Sequence, residues 1–345
     1  MEGSLEKIRV AVVVPAYKAQ EHIRAVLLEI PSWVDHVIVV DDASPDATSD
    51  VVKAVGDPRV ILLRHDHNGG VGKATMSGFK EGIKLQADII IKMDADGQMD
   101  PCHLGRLIQP LITGEADYVK GNRFRDKTVL SEMPKIRLFG NSSLSFLTKL
   151  ASGYWDIFDP TNGFFAIRGE VLNRLNLDKL HPGYFFETSV LLGLSRIRAR
   201  VLDVSIPARY AGEQSSLSPM ACLSSFPFYL AKGFISRVFW QYFLVDFNAA
   251  SLFLISGLPL LLWGVAFGLH AWAKSISTGQ VATTGTVMLS VLPLLIGFQL
   301  LLQALVIDIW MTPKRALCLP LIPTEGGRLP GQAVMREGCR TVSPN

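Results

Sequence analysis

The chain has 345 residues, of which 49% are hydrophobic and only 19% are charged, and its formal net charge is +3. Soluble globular domains carry about 25% charged residues, so this composition argues against a protein that is soluble along its whole length. A charge this small gives no support to nucleic-acid binding. The four cysteines are scattered without paired spacing, which predicts neither a zinc site nor a disulfide framework.

The first region alternates short runs of β-branched residues with amphipathic stretches. The runs predict buried strands, and the stretches between them predict helices. The predicted strands cover residues 10–14, 37–40, 60–63 and 89–93, and the predicted helices cover residues 21–30, 48–55, 73–84 and 101–111. This alternation indicates a doubly wound, mostly parallel α/β sheet, in which functional sites lie at the carboxyl ends of the strands.

Polar and aromatic residues follow the first two predicted strands. Tyr17 follows the first strand, and Asp41 and Asp42 end the second. We expect Tyr17 to stack on a nucleotide base, and one of the two aspartates to accept a hydrogen bond from a ring N–H of that base. The alternative is a purely structural role, because Ser44 and Asp46 are natural N-cap residues for the next helix.

Two carboxylates, Asp94 and Asp96, follow the fourth predicted strand directly. Carboxylates at a buried strand end are unfavourable unless a cation pairs with them. Hard divalent ions prefer carboxylate oxygens, and Mg²⁺ is often shared between one or two carboxylates and a substrate phosphate. The pair therefore predicts a Mg²⁺ or Mn²⁺ site, with Gln98 as a third ligand. A solvated turn is the alternative.

A glycine-rich segment, residues 68–75, follows the third predicted strand and opens a predicted helix. Backbone N–H groups at a helix N-terminus bind phosphate, and Lys73 adds positive charge. The segment is also similar to an ATP-binding loop. Ala74 stands where that loop needs a hydroxyl residue, which argues against ATP binding.

Two long apolar stretches follow. No Asp, Glu, Lys or Arg occurs in residues 247–273 or 275–307, so we predict spanning helices at 251–272 and 286–309. Buried core helices are the alternative, although such helices rarely stay apolar all the way round. Lys232 and Arg237 precede the first span, and Lys314 and Arg315 follow the second. This charge distribution predicts that both chain ends are cytosolic. The first residues lack the pattern of a signal peptide.

These patterns predict four regions. A cytosolic catalytic domain covers residues 1–218, and aromatic-rich amphipathic helices at 219–247 are expected to lie in the membrane interface. Two transmembrane helices cover 248–311, and a cytosolic, poorly ordered tail covers 312–345.

Several motifs together resemble family 2 glycosyltransferases of the GT-A fold. They are Pro15-Ala16-Tyr17, Val40-Asp41-Asp42, the segment 68–74, Asp94-Ala95-Asp96-Gly97-Gln98, Gly121-Asn122-Arg123-Phe124, Arg137 with Asn141, Asp159–Phe164 and Phe186-Glu187. The later motifs narrow the resemblance to dolichyl- or polyprenyl-phosphate sugar transferases, and the two apolar stretches to the bacterial GtrB-like branch. The chain departs from the family pattern at Lys18 and Ala19, where relatives often have Asn and Glu, and around Arg209 and Ser216.

The resemblance implies inverting transfer of one sugar from a nucleotide-diphosphate sugar to a polyprenyl phosphate, with Mg²⁺ or Mn²⁺ as cofactor. A UDP-hexose such as UDP-glucose is the expected donor, and GDP-mannose is the second choice. The expected location is the cell inner membrane, and relatives imply a homotetramer. A polysaccharide synthase and a membrane scaffold with an inactive transferase domain are the alternatives.

The resemblance also assigns residues. Metal binding falls to Asp94, Asp96 and Gln98, and catalysis to Asp96, Arg123 and Arg137. Nucleotide-sugar binding falls to Pro15, Tyr17, Asp41, Asp42, Lys73, Asp94, Ala95 and Asp96. The acceptor and sugar pocket is assigned Arg123, Lys135, Arg137, Asn162, Glu187 and Arg209.

Overall fold

The chain folds into two units. The structure is a computed structural model that describes residues 8–123, 135–206 and 219–321, without the side chains of residues 135–139, 141 and 219–225. An α/β unit comprises Met1–Ala231 and Pro313–Asn345, and a helical unit comprises Lys232–Thr312.

The α/β unit is built on a seven-stranded sheet in the order β3-β2-β1-β4-β6-β5-β7. Its strands are β1 (Val10–Ala16), β2 (His36–Asp41), β3 (Val60–Arg64), β4 (Ile89–Lys92), β5 (Tyr118–Asn122), β6 (Phe165–Arg168) and β7 (Val201–Ser205). β6 runs antiparallel to its neighbours β4 and β5, and the other neighbouring strands are parallel. The four predicted strands and the mostly parallel α/β sheet are confirmed, whereas β5, β6 and β7 were not predicted.

Helices cover both faces of the sheet. They are α1 (Ile23–Glu29), α2 (Thr48–Ala54), α3 (Val71–Lys84), α4 (Leu104–Ile112), α5 (Lys135–Ser152), α6 (Gly169–Arg174) and α7 (Phe186–Arg196). Apolar side chains of α1 and α4 pack on one face with alternate residues of the strands. Side chains of α3, α6 and α7 pack on the other face with the remaining strand residues. Because both faces are covered, the central strands are apolar along their length.

A segment after the helical unit returns to the α/β unit. The fully buried carboxylate of Asp117 accepts hydrogen bonds from the backbone N–H groups of Leu317 and Cys318, and from that of Arg200. The Leu321 N–H donates to the Ile112 carbonyl over 2.9 Å. The expectation of a poorly ordered tail therefore needs correction over residues 313–321, whereas residues 322–345 lie outside the described part of the chain.

The helical unit contains two long apolar helices, α9 (Ala249–Thr278) and α10 (Thr284–Trp310). They follow α8 (Pro219–Phe239) and a π-helical turn, Trp240–Val245. Both long helices have the length and composition to cross a membrane, and only 11% of the most apolar 18 residues of each is buried. The alternative of two buried core helices does not fit, because most of their apolar side chains face outward.

α9 and α10 pack through small residues. A Cβ atom added to Gly264 would lie 2.7 Å from the Leu294 backbone nitrogen, and one added to Gly297 would lie 2.5 Å from that of Leu261. Helix backbones that approach this closely are typical of membrane helix pairs, in which apolar contact with lipid gives no drive for association.

Candidate functional site

The carboxyl ends of β3, β2, β1 and β4 lie at the same edge of the sheet, because these four strands are parallel neighbours. Ala16 at the end of β1 pairs with Asp41 at the end of β2. Tyr17 lies just beyond β1 with an exposed side chain, and the Lys18 ammonium lies 5.4 Å from the centre of its ring. The structure thus brings the predicted nucleotide-binding strand ends together.

Asp41 and Asp42 are both buried and both already hydrogen-bonded within the protein. The Asp41 carboxylate accepts from the Ser44 N–H over 2.9 Å and from the Ser49 hydroxyl. This favours the structural alternative for Asp41, since its oxygens hold the turn after β2. The predicted contact with a base would require one of these internal bonds to be shared or exchanged.

Asp42 organises the glycine-rich segment. Its carboxylate accepts from the N–H groups of Gly69 and Gly70 over 2.9 and 2.7 Å, and it lies 2.7 Å from Nδ1 of His65. The Lys73 N–H donates to the Pro182 carbonyl over 3.0 Å. These backbone N–H groups were expected to cradle phosphate, so the structure differs from that expectation: Asp42 occupies the position of an anion. The same bonds argue further against an ATP-binding loop, whereas the Lys73 side chain remains exposed.

The Asp94–Asp96 motif follows β4 at the edge of the sheet. The side chain of Asp94 is 29% exposed, and Asp96 accepts from the backbone N–H of Gln98 over 3.0 Å. Gly97 has a φ of +76°, which a glycine adopts without strain and which turns the chain back after Asp96. Two hard carboxylate groups at a partly open strand end fit a Mg²⁺ or Mn²⁺ ion.

Asp100, Cys102 and His103 form a second group of possible ligands, whose donor atoms all lie within 4.8 Å of one another. Asp100 caps the turn that follows it, because its Oδ1 accepts from the Cys102 N–H over 2.9 Å. A mixed set of sulfur, nitrogen and oxygen donors is less suited to a hard ion than two carboxylates are. We therefore keep Asp94 and Asp96 as the candidate ligands for Mg²⁺ or Mn²⁺.

Glu187, predicted from the sequence, has a partner that was not predicted. Its carboxylate lies in the first turn of α7, 3.0 Å from the ammonium of Lys92, and that ammonium lies 2.7 Å from Oδ1 of Asp94. Burial alone would lower the pKa of Lys92, but Asp94 and Glu187 raise it above its ordinary value. Lys92 thus stays charged. A lysine inside the otherwise apolar run IIIKM was the sequence signal for it.

Arg123 and Asp159 form a two-bonded ion pair. Nε of Arg123 lies 2.8 Å from one carboxylate oxygen of Asp159, and Nη2 lies 3.2 Å from the other. Asp159 is fully buried, whereas the side chain of Arg123 is 36% exposed. Such a fork fixes the plane of the guanidinium group. Arg123 is therefore held in one orientation at the end of β5, with part of its side chain open to solvent.

Asn162 ties the segment after Asp159 to β5. Its side-chain amide donates to the Gly121 carbonyl over 2.7 Å, and its backbone carbonyl accepts from the buried ammonium of Lys120 over 2.6 Å. Burial lowers the pKa of Lys120 to about 8, despite the opposing effect of the Glu187 and Asp159 carboxylates. These bonds favour a structural role for Asn162 rather than its predicted contact with the sugar.

Three predicted basic residues lie wholly or partly outside the described part of the chain. Lys135 and Arg137 belong to α5, but their side chains are not described. Arg209 lies outside the described residues altogether. The predicted acceptor groove is therefore represented in the structure by Arg123, Asn162 and Glu187 alone.

Comparison with known proteins gives consistent matches. The profile described as glycosyl transferase family 2 matches residues 11–175. A UDP-N-acetylglucosamine–dolichyl-phosphate N-acetylglucosaminyltransferase from Methanococcus voltae is 32% identical over 57% of this chain and 84% of the relative. An undecaprenyl-phosphate mannosyltransferase from Micrococcus luteus is 31% identical over 58% of this chain and 83% of the relative.

A solved structure shares the fold. Glucosyl-3-phosphoglycerate synthase from Mycobacterium tuberculosis, crystallised with Mn²⁺, UDP and glucosyl-3-phosphoglycerate, superposes with a TM-score of 0.50. The two proteins are 21% identical, and the match covers 66% of this chain and 79% of the other. The chain therefore shares the fold of this synthase over about two thirds of its length.

Proposed function

The chain belongs to glycosyltransferase family 2, and from that premise we propose that it transfers one sugar from a nucleotide-diphosphate sugar to a polyprenyl phosphate. The observation that carries the proposal is the joining, in one chain, of a carboxylate pair at the sheet edge with two long helices whose apolar side chains face outward. Relatives named for dolichyl- and undecaprenyl-phosphate acceptors support a lipid phosphate as acceptor.

Asp94 and Asp96 would hold Mg²⁺ or Mn²⁺, with Gln98 as a further ligand. The ion, when bound, neutralises charge that develops on the leaving diphosphate. Tyr17 would stack on the base, and the exposed ammonium of Lys73 would attract the diphosphate. Pro15 and Ala95 would contribute backbone contacts at the same edge. We propose a UDP-hexose such as UDP-glucose as donor, with GDP-mannose second.

The acceptor needs orientation more than activation. A phosphate monoester is ionised near neutral pH and is already a nucleophile, so a strong general base is less necessary than for a hydroxyl acceptor. Arg123, held in a fixed plane by Asp159, would align the acceptor phosphate. Arg137, Lys135 and Arg209 remain predicted partners of the same phosphate.

The helical unit would keep the enzyme at the lipid surface. Ile235 and Phe239 are exposed on the part of α8 that belongs to the helical unit, as expected of a helix that lies in the membrane interface. We propose that α9 and α10 span the inner membrane and that both chain ends are cytosolic. Transfer would then take place at the cytosolic face. Assembly into a tetramer stays a prediction.

The test is a reconstituted transfer assay. The protein is purified in detergent with Mn²⁺ and undecaprenyl phosphate, and offered UDP-glucose, UDP-N-acetylglucosamine or GDP-mannose. Mass spectrometry then detects glycosylated lipid. We expect one sugar on the lipid, no product after chelation of the metal, and none with Asp96→Ala. The matched control is Asp50→Ala, whose carboxylate is 82% exposed on α2 and which should transfer as wild type does.

The two alternatives give different results in the same assay. A polysaccharide synthase would add several sugars and lengthen the product. An inactive scaffold would bind no nucleotide sugar in the presence of Mn²⁺. Nucleotide-sugar binding without lipid product would contradict the polyprenyl phosphate acceptor.

A further inference from the structure

Lys92 occupies an unusual position for a lysine. It is the last residue of β4, is only 1% exposed, and lies between the apolar residues Ile91 and Met93. An ammonium group taken out of water is strongly unfavourable unless anions compensate it. A buried ammonium at this position therefore needs anionic partners, and those partners indicate the role of Lys92.

Those partners come from separate parts of the fold. The ammonium of Lys92 lies 2.7 Å from Asp94, in the candidate metal motif, and 3.0 Å from Glu187, at the start of α7. Glu187 is itself nearly buried, with a 9% exposed side chain. Lys92 thus connects the turn after β4 to a helix that packs on the sheet.

The segment at Gly163 also packs against Lys92 and Asp94. A Cβ atom added to Gly163 would lie 2.4 Å from the Lys92 ammonium and 2.5 Å from Oδ2 of Asp94. The segment that holds Arg123 through Asp159 therefore passes directly against the Lys92–Asp94 contact. Any side chain at this position would displace the pair.

The charges also favour a cation. Lys92 pairs with Asp94 and Glu187, and Lys120 acts on Glu187 as a second positive charge. With Asp96, the three carboxylates still outnumber the two lysines. One ammonium group contacts both Asp94 and Glu187. Without it, the two neighbouring carboxylates would repel each other.

We propose that Lys92 is a positioning residue of the transfer site: it holds the Asp94 carboxylate in one orientation and couples it to Glu187 and to the segment at Gly163. The role rests on the proposed function, because it concerns the metal ligands of that reaction. Lys92 acts through Asp94 and needs no contact with substrate. Groups that orient metal ligands in this way typically change metal affinity by about 10- to 100-fold when they are replaced.

The test compares variants with equal charge. Lys92→Met combined with Glu187→Gln removes the ammonium and one carboxylate, so the site keeps its net charge but Asp94 loses its partner. Mn²⁺ binding is measured by electron paramagnetic resonance of the free ion, without substrate. We expect the dissociation constant for Mn²⁺ to rise about tenfold, in line with other positioning groups. Glu187→Gln alone, which keeps Lys92, reports the effect of charge.

The matched control is Lys84→Met with Glu81→Gln, which also removes one ammonium and one carboxylate, from an exposed ion pair on α3. It should leave Mn²⁺ affinity as in wild type. If the first double variant does not fold, Lys92→Gln with Glu187→Gln keeps a polar side chain at the buried position and should also weaken Mn²⁺ binding.

The outcomes separate this inference from the function on which it rests. Weakening of threefold or more in a folded double variant at Lys92 and Glu187 supports it, and a smaller change overturns it. Wild-type protein that binds Mn²⁺ but makes no glycosylated lipid contradicts the proposed reaction and leaves the Lys92 comparison readable. Wild-type protein that binds no Mn²⁺ overturns both.

Discussion

The two units of this chain differ in where their large apolar side chains lie: inside the α/β unit, but on the surface of the long helices. In the α/β unit the apolar residues lie inside, between the sheet and its helices. In α9 and α10 the residues that are buried are mainly small or polar, and the large apolar side chains are exposed. The second distribution is the one expected of the proposed membrane spans: water drives apolar groups inward, whereas lipid does not, so membrane helices associate by close packing through small residues.

The two units also bury charge in different ways. At the end of β4, Lys92 contacts the carboxylates of Asp94 and Glu187, and in β5 Lys120 donates to the Asn162 carbonyl. In the helical unit, Asp308 of α10 binds both Arg237 and Tyr242 in a compact buried cluster. The first arrangement leaves net negative charge for a cation, and the second is an ion pair with an added hydroxyl donor. We infer that the first serves binding and the second serves structure.

The largest effect is expected when the cluster of the helical unit is broken. Asp308→Ala leaves the 5% exposed guanidinium of Arg237 without its carboxylate. We expect a loss of about 3–5 kcal/mol, because a buried guanidinium loses its carboxylate partner. Thermal unfolding in detergent measures it. The double variant Arg237→Met with Asp308→Leu removes both charges and should recover most of the loss. A single variant as stable as wild type would contradict a structural role.

A smaller effect is expected where the returning segment meets the α/β unit. Asp117→Asn weakens the charge-assisted acceptor for the N–H groups of Leu317 and Cys318, and we expect a loss of about 2–3 kcal/mol. Burial raises the pKa of the Cys318 thiol to about 12, so it should resist alkylation in wild type. With the other three cysteines replaced by serine, Asp117→Asn should speed alkylation of Cys318. An unchanged rate would show that Asp117 does not hold this segment.

A pH-dependent effect of about 2–3 kcal/mol is expected at Asp203. Burial raises the pKa of Asp203 from 3.8 to about 6, although bonds from the Phe158 N–H and Asn122 oppose the shift. Between these pH values the folded state keeps a proton that the unfolded state has released. The free energy of unfolding should therefore fall as the pH rises through this window.

The matched variant for that effect is Asp203→Asn. It retains an oxygen acceptor for the Phe158 N–H, which donates to Asp203 over 2.7 Å, and cannot ionise. Thermal unfolding at a series of pH values should show a smaller decline from acid to neutral pH than wild type shows. Equal slopes in the two proteins would contradict the assignment to Asp203.

The smallest effect is expected on the outer surface of the helical unit. Leu262 is 59% exposed on α9, whereas Leu191 on α7 is fully buried. Leu191→Ala should cost about 2–5 kcal/mol through the cavity it leaves. Leu262→Ala should change stability by less than about 0.5 kcal/mol, because surface substitutions away from special features rarely do more. A large loss from Leu262→Ala would indicate that another protein surface covers this face.

Much of the fold could be predicted from local pattern. β1 to β4 are mainly apolar runs bounded by turns, and α9 and α10 are long, nearly uncharged stretches. Each can therefore be predicted from residues that are consecutive in the sequence. β5, β6 and β7 were missed: each has four or five residues, and a charged residue lies inside β5 and β7 and at the end of β6. Lys120 and Asp203 interrupt the apolar period, and their partners lie far away in the sequence: the Asn162 carbonyl for Lys120, and Asn122 and the Phe158 N–H for Asp203.

The candidate site likewise has features that local sequence predicts and contacts that only the fold produces. The sequence by itself determined the Asp94–Asp96 pair, the Tyr17 position and the two apolar helices, because each depends on residues that are close along the chain. Only the tertiary structure decided which partner each charge has: Lys92 with Glu187, Arg123 with Asp159, and Asp42 with the N–H groups that were expected to hold phosphate. Such pairs join residues that lie far apart in the sequence. A buried charge must take whatever partner the fold brings within reach, and no local pattern encodes that distance.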